Sequence, residues 1–295
     1  MTPGLWFAAP ALAAIALFFF VPVAAGLGLS LTDFDLYALA DPAVLRFVGA
    51  RNYVELFQDP VVWTALRNTL VFVVVGAPLS VAVSLGAALL LQSRGLRAKG
   101  LFRTLLFLPV VTTLVAVAVV WRYLYHPRVG LLNHALGALG VAPVDWLGDP
   151  RFALASLIAL AVWKNFGFNM VIFVAGLQAI PERLYEAARL DGASRAQLLR
   201  HVTLPMLVPT TSFVLVMTLI GHFQLFAEPY VMTQGGPEDA TRSLVLLMYE
   251  QGFRWWSLGQ AAALAFVLFA LVLGVGLAAR GLGLLRVGGG AEARA

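Results

Sequence analysis

The 295-residue chain contains no cysteine, which excludes a disulfide framework and any thiolate metal site. Charge is scarce too. Asp, Glu, Lys and Arg make up 12% of the residues, about half the share with which a soluble domain of this length covers its surface. Lysine is nearly missing: Lys99 and Lys164 stand alone among arginines. No G-x-x-x-x-G-K-[ST] run occurs and neither lysine follows a glycine-rich loop, so the chain holds no P-loop for a nucleotide. The histidines, His126, His134, His201 and His222, are too scattered for a zinc motif. No G-x-S-x-G sequence and no paired-carboxylate arrangement lies within the apolar runs.

What is present is oil. Hydrophobic residues are 61% of the chain and its mean hydropathy is +0.87, which predicts an integral membrane protein. Six apolar runs are long enough to cross about 30 Å of hydrocarbon: roughly 6–31, 69–91, 104–121, 152–177, 206–227 and 258–279. The expected fold is all-α, one transmembrane domain over residues 1–295. Pro22, Pro78, Pro109 and Pro209 interrupt the runs, as neighbouring helices allow. No Lys or Arg precedes the first run, and its length exceeds a signal-peptide core, so it reads as a retained helix. Trp121, Trp146, Trp255 and Trp256 fall near the expected span ends, where an aromatic belt accounts for them.

The net charge of +5 does not indicate nucleic acid, because the basic residues form no stripe with interleaved aromatics. They sit between apolar runs, where they set topology. Segments 92–103, 178–205 and 280–295 carry eleven of the cations; 32–68, 122–151 and 228–257 carry eight over many more residues, with eleven of the fifteen acids. The positive-inside bias places the first set, and both termini, in the cytoplasm.

One segment is charged throughout. "YEAARLDGASRAQLLRHVTLP" (185–205) carries Glu186, Arg189, Asp191, Arg195, Arg200 and His201. Pro181 suits a first helical position, with Glu182 at the positive end. Leu184, Tyr185 and Ala188 give one apolar side. Gly192 fits a left-handed stop, and Ser194 with Gln197 makes a capping box that starts a second helix towards Pro205. An amphipathic helix resting in lipid headgroups is the plainer reading, but Ala187 and Ala188 would bury little there. Small residues suit close packing against another protein.

"EAARLDGA…LP", Glu186 to Pro205, resembles the cytoplasmic EAA loop of binding-protein-dependent ABC importer permeases, with matches at Glu186, Ala187, Ala188, Asp191, Gly192, Ala193, Leu204, Pro205 and Pro209. "GLQAIPERLYEAA" (176–188) and "MTQGGPEDAT" (232–241) are similar to the carbohydrate-importer branch, and the likeness covers essentially the whole chain. It implies a type I importer permease of six transmembrane helices in a bacterial inner membrane. Loop 178–205 becomes a coupling helix docked on a cytoplasmic ATPase, with Glu186 and Asp191 meeting polar or basic groups. The implied partners are a second, non-identical permease, two ATPase subunits that bind ATP and magnesium, and an extracytoplasmic binding protein. This chain itself binds no cofactor or metal.

Polar residues within the runs are the candidates for a substrate path. Lys164, in "WKNFGFNM" (163–170), is the one full charge inside a run. It either faces substrate or pairs with a carbonyl at a helix interface. Asn165 and Asn169 share a helix face and either hydrogen-bond sugar hydroxyls or join helices. Thr218 and His222 are four apart in the fifth run, with Gly221 and Gln224 beside them. In maltose-type relatives an asparagine corresponds to His222 and a serine to Thr218, so the chain departs from that pattern and its substrate is open between a sugar and glycerol 3-phosphate. A rival reading is an ion-coupled secondary transporter with Lys164 and His222 as a proton relay. It needs no ATPase and leaves the EAA loop unexplained.

Overall fold

A computed structural model of the chain describes residues 3–41, 43, 45–93 and 95–281. Among these residues the structure is helical, and its extended pairing is limited to two isolated bridges, Thr32 with Phe47 and Asp35 with Ser257. Five helices are long and apolar enough to cross a membrane: Phe7–Ser30, Pro60–Gln92, Pro150–Gln178, Val208–Met232 and Leu258–Gly281. A further apolar pair, Lys99–Val111 and Leu114–Leu124, is bent by 98° and makes a sixth span when taken as one crossing. In chain order these are the first to sixth spans, the bent pair being the third. Arg94 and residues 282–295, part of the orienting segments 92–103 and 280–295, lie outside the described residues.

Two expectations need correction. The third run is two half-helices meeting at Thr112 and Thr113, both extended, not one helix over 104–121. Pro109 lacks the donor that would continue its turn, and Val110 to Thr113 are β-branched in succession, which disfavours a helix. The fifth run is also broken: its helix ends at Phe223, and a short one resumes at Ala227–Met232. Pro209 does not interrupt it, because it sits in the first turn of Val208–Phe223, where its missing N–H costs nothing. The second span starts at Pro60, nine residues before the expected 69, and takes in Asn68, whose buried amide donates to the carbonyls of Asp239 and Arg242 at 2.7 and 3.0 Å.

The chain divides into two compact units, one holding the residues up to Leu66 with Leu244–Leu271, the other Arg67–Ser243 with the residues from Val272. In the first, Leu56, Val62 and Ala65 pack with Leu244, Leu247, Ala263 and Leu264. Asn52 there donates to the carbonyls of Ser30 and Thr32, both at 2.8 Å.

The second unit is built around the fourth span, capped at Asp149, whose carboxylate accepts from the Arg151 amide at 2.9 Å. The Arg151 guanidinium holds that carboxyl below its ordinary range. Met170, Phe173 and Val174 of this span pack with Ala88 and Leu91 of the second and Val214 of the fifth. Towards its other end, Leu157, Leu160 and Ala161 join Phe72, Val117, Ala118 and Tyr125. Trp121 and Trp146, expected only as span-end aromatics, pack against this cluster. Trp121 lies 5.2 Å from Tyr125 and 5.4 Å from Trp163 between ring centroids, and Trp146 donates its indole N–H to Asn133 at 3.0 Å. Burial in lipid gives helices no hydrophobic drive to associate, so close backbone approach matters more.

Gly167 provides that approach: a Cβ there would collide with the Leu106 carbonyl and lie 3.1 Å from the Phe107 Cα. Gly167→Ala should separate the third and fourth spans and destabilise the protein by about 1–3 kcal/mol. Thermal unfolding of the purified protein measures this; an unshifted midpoint would show that the crossing tolerates a side chain.

Candidate functional site

Within the second unit a cavity of about 490 Å³ lies against the fourth and fifth spans. Asn165, Asn169, Thr218, Gly221, His222 and Gln224 all line it, so helical spacing brings together six of the seven candidates for a substrate path. Lys164 is the exception. It is buried, and its Nζ donates to the Val110 carbonyl at 3.0 Å. That carbonyl belongs to the last turn of the first half-helix, where no intrahelical amide reaches it. Of the two readings of Lys164, the structure has the carbonyl at a helix interface.

Asn169 and Thr218 are buried and bonded to each other: the Asn169 amide donates to the Thr218 hydroxyl at 2.9 Å. One N–H of Asn169 thus joins two helices while the residue still borders the cavity. His222 Nδ1 lies 2.8 Å from the Thr218 carbonyl. A carbonyl only accepts, so Nδ1 carries the proton. Nε2 has no partner and packs on the second span, 3.2 Å from where a Gly76 Cβ would stand. The ring also lies 5.3 Å from that of Phe72. His222 is therefore clamped on two sides. It and Lys164 bond to different carbonyls and not to each other, so a proton relay has no link between them.

Sequence reasoning missed Glu228. It lines the same cavity at 8% exposure, but with the fifth run expected to end at 227 it counted as an outer-loop acid. The signal was a lone carboxylate among apolar residues between His222 and the G-G-P turn.

The charged segment has the predicted form. Glu182–Leu190 is a helix without a buried residue. Pro181 is its N-cap, one position before the expected first helical residue, and Glu182 is in the first turn. Gly192 has φ +79°, and past it the Ala193 amide closes on the Ala188 carbonyl at 2.9 Å. Ser194 and Gln197 form the capping box in both directions, at 2.7 and 3.4 Å. A π turn, Leu199–Thr203, precedes Pro205. Glu186, Ala187, Asp191 and Gly192 are exposed and Ala188 is half-buried. Ala188, Asp191, Gly192, Gln197 and His201 border a cleft of about 270 Å³.

Residues 93–280 match the family described as the binding-protein-dependent transport system inner membrane component. The chain belongs to this family. The lactose transport system permease protein LacF of Rhizobium radiobacter is 37% identical over 274 residues, covering 91% of this chain and 90% of that one. The sn-glycerol-3-phosphate transport system permease protein UgpA of Agrobacterium fabrum (strain C58 / ATCC 33970) is 35% identical over 269 residues, covering 90% and 89%. In fold, the chain is similar to a solved structure of a bacterial ABC transporter involved in the import of the acidic polysaccharide alginate, with a TM-score of 0.74 at 24% identity over 94% of each chain. The protein is thus a multi-pass membrane subunit of a transport system with the fold of ABC importer permeases.

If Asn169 and Thr218 tie the permease helices together, Asn169→Ala and Thr218→Val should be non-additive in unfolding free energy. The expected coupling is about 0.6 kcal/mol, with about 1.7 kcal/mol the upper limit. Strict additivity in the double variant would leave the bond without energetic weight.

Proposed function

We propose that this permease forms half of the translocation path of an ATP-driven importer for a sugar. The observation that carries this reading is the cavity: amides, a hydroxyl and an imidazole converge at membrane depth around a volume of about 490 Å³. Amides and hydroxyls both donate and accept, which suits the hydroxyls of a small polar solute. A second, non-identical permease supplies the other half, and a binding protein delivers the solute from outside.

ATP chemistry belongs to two ATPase partners. Helix Glu182–Leu190 couples them to the spans: Glu186 and Asp191 meet polar or basic groups, and Ala187, Ala188 and Gly192 permit close approach. Two contacts support a stiff link from this helix into the membrane. Tyr185 Oη lies 3.0 Å from Thr203 Oγ1, and Gly176 lets the fourth span approach Thr210 of the fifth so closely that a Cβ would stand 2.6 Å from its hydroxyl. ATP binding closes the ATPases, the loop carries the motion as a rigid body, and the path opens outward. Hydrolysis and release restore the inward state.

Uptake of radiolabelled sugars by the complete complex, with sn-glycerol 3-phosphate alongside, tests the reading. Glu186→Leu and Gly192→Leu, the second forcing a branched side chain into a left-handed turn, should leave insertion normal and lower ATP-driven uptake at least tenfold. Full uptake and full ATPase co-purification in both variants would remove the coupling role.

Both termini face the cytoplasm in this reading. Cysteines placed at Ala98 and Ser194 should resist impermeant thiol reagents added to intact cells, and those at Ala40 and Ala240 should react. The chain has no native cysteine to confuse the assay. Strong external labelling at position 194 would invert the orientation.

A further inference from the structure

The cavity is bordered by one carboxyl side chain, that of Glu228, and no Arg or Lys is among its lining residues. Lys164 is near enough for its charge to act on Glu228, yet its Nζ is held by the Val110 carbonyl. The Glu228 side chain is buried beside the cavity. Its place is fixed by the break at Gln224–Phe226: the helix resumes with Ala227, and Glu228 and Pro229 are both buried. The other polar side chains on the wall are Asn165, Asn169, Thr218, Gln224 and the His222 imidazole. A phosphate or uronate entering this space meets the Glu228 carboxyl and no Arg or Lys on the wall, in surroundings where charges are weakly screened. A hydroxyl meets a carboxyl group able to accept its hydrogen.

We propose that Glu228 is the charge-selecting residue of this half of the path: its carboxylate accepts hydroxyl hydrogens of an uncharged polyhydroxyl solute and turns anions away. The proposal rests on the importer reading and names the solute class for the same cavity.

The absence of cysteine supplies the test. Met217→Cys places a single thiol on the cavity wall, in the assembled complex with cysteine-free partners. Its modification rates by a trimethylammonium and a sulfonate methanethiosulfonate are each divided by the rate with a free thiol. The cationic reagent should be favoured roughly tenfold or more. Glu228→Gln should bring the ratio close to one, and Glu228→Asp should keep it, a pattern that a purely structural role would not produce. Lactose, maltose or trehalose should slow modification, and sn-glycerol 3-phosphate should not.

A ratio unmoved by Glu228→Gln, no reaction with either reagent, or equal protection by sn-glycerol 3-phosphate would overturn the proposal. A ratio that does respond, in a complex that takes up no neutral sugar, would bring down the sugar-import reading and leave the charge selection standing.

Discussion

Hydrocarbon offers a backbone carbonyl no partner, so every break in a spanning helix must be closed by the protein itself. This chain has two such breaks in its second unit, and each is closed by a side chain. At the third span, Thr112 Oγ1 donates to the Pro109 carbonyl at 2.7 Å and Lys164 Nζ to that of Val110 at 3.0 Å. At the fifth, Ser243 Oγ donates to the Leu225 carbonyl at 2.5 Å. The cavity is bordered by both places, through Val110 and Leu114 on one side and Gln224 to Glu228 on the other. Irregular backbone at membrane depth is tolerated where it lines such a space, so the polar path and the broken helices are one feature.

The same constraint sorts the rest of the molecule. Long apolar helices satisfy their own backbone and need only shape to pack, which Gly76, Gly167 and Gly176 supply where a Cβ would collide with a neighbour. Apart from Lys164 in the fourth span and Glu228 in the fifth, charged residues are concentrated near span ends and in loops. The segment 181–205 therefore carries its own local instructions, caps and a left-handed glycine, and forms without burying any residue of its first helix. An element so independent of the core can present a constant face while the spans around it rearrange.

These local instructions were the most legible part of the sequence. The capping box at Ser194 and Gln197 and the turn at Gly192 depend on neighbours three or four positions away, and both stand as read. The four-residue steps from Asn165 to Asn169 and from Thr218 to His222 each keep two side chains on one helix face, and all four residues border the cavity. The breaks at Thr112–Thr113 and Gln224–Phe226 were not legible to a hydropathy window, since each is only two or three residues long between apolar runs. Missing the second break put Glu228 in a loop. Lys164 could be read as a buried charge but not assigned its partner, which lies 54 residues away and is a backbone atom that no side-chain pattern records.

That partner decides the electrostatics of the site. A buried lysine near a buried glutamate suggests an ion pair that leaves both groups silent. Here the carbonyl end of a half-helix, the negative end of its dipole, takes the ammonium instead. Lys164 thereby stabilises the bend of the third span, while the carboxylate stays on the cavity wall as an acceptor. One hydrogen bond across the third and fourth spans thus links the shape of the path to its polarity.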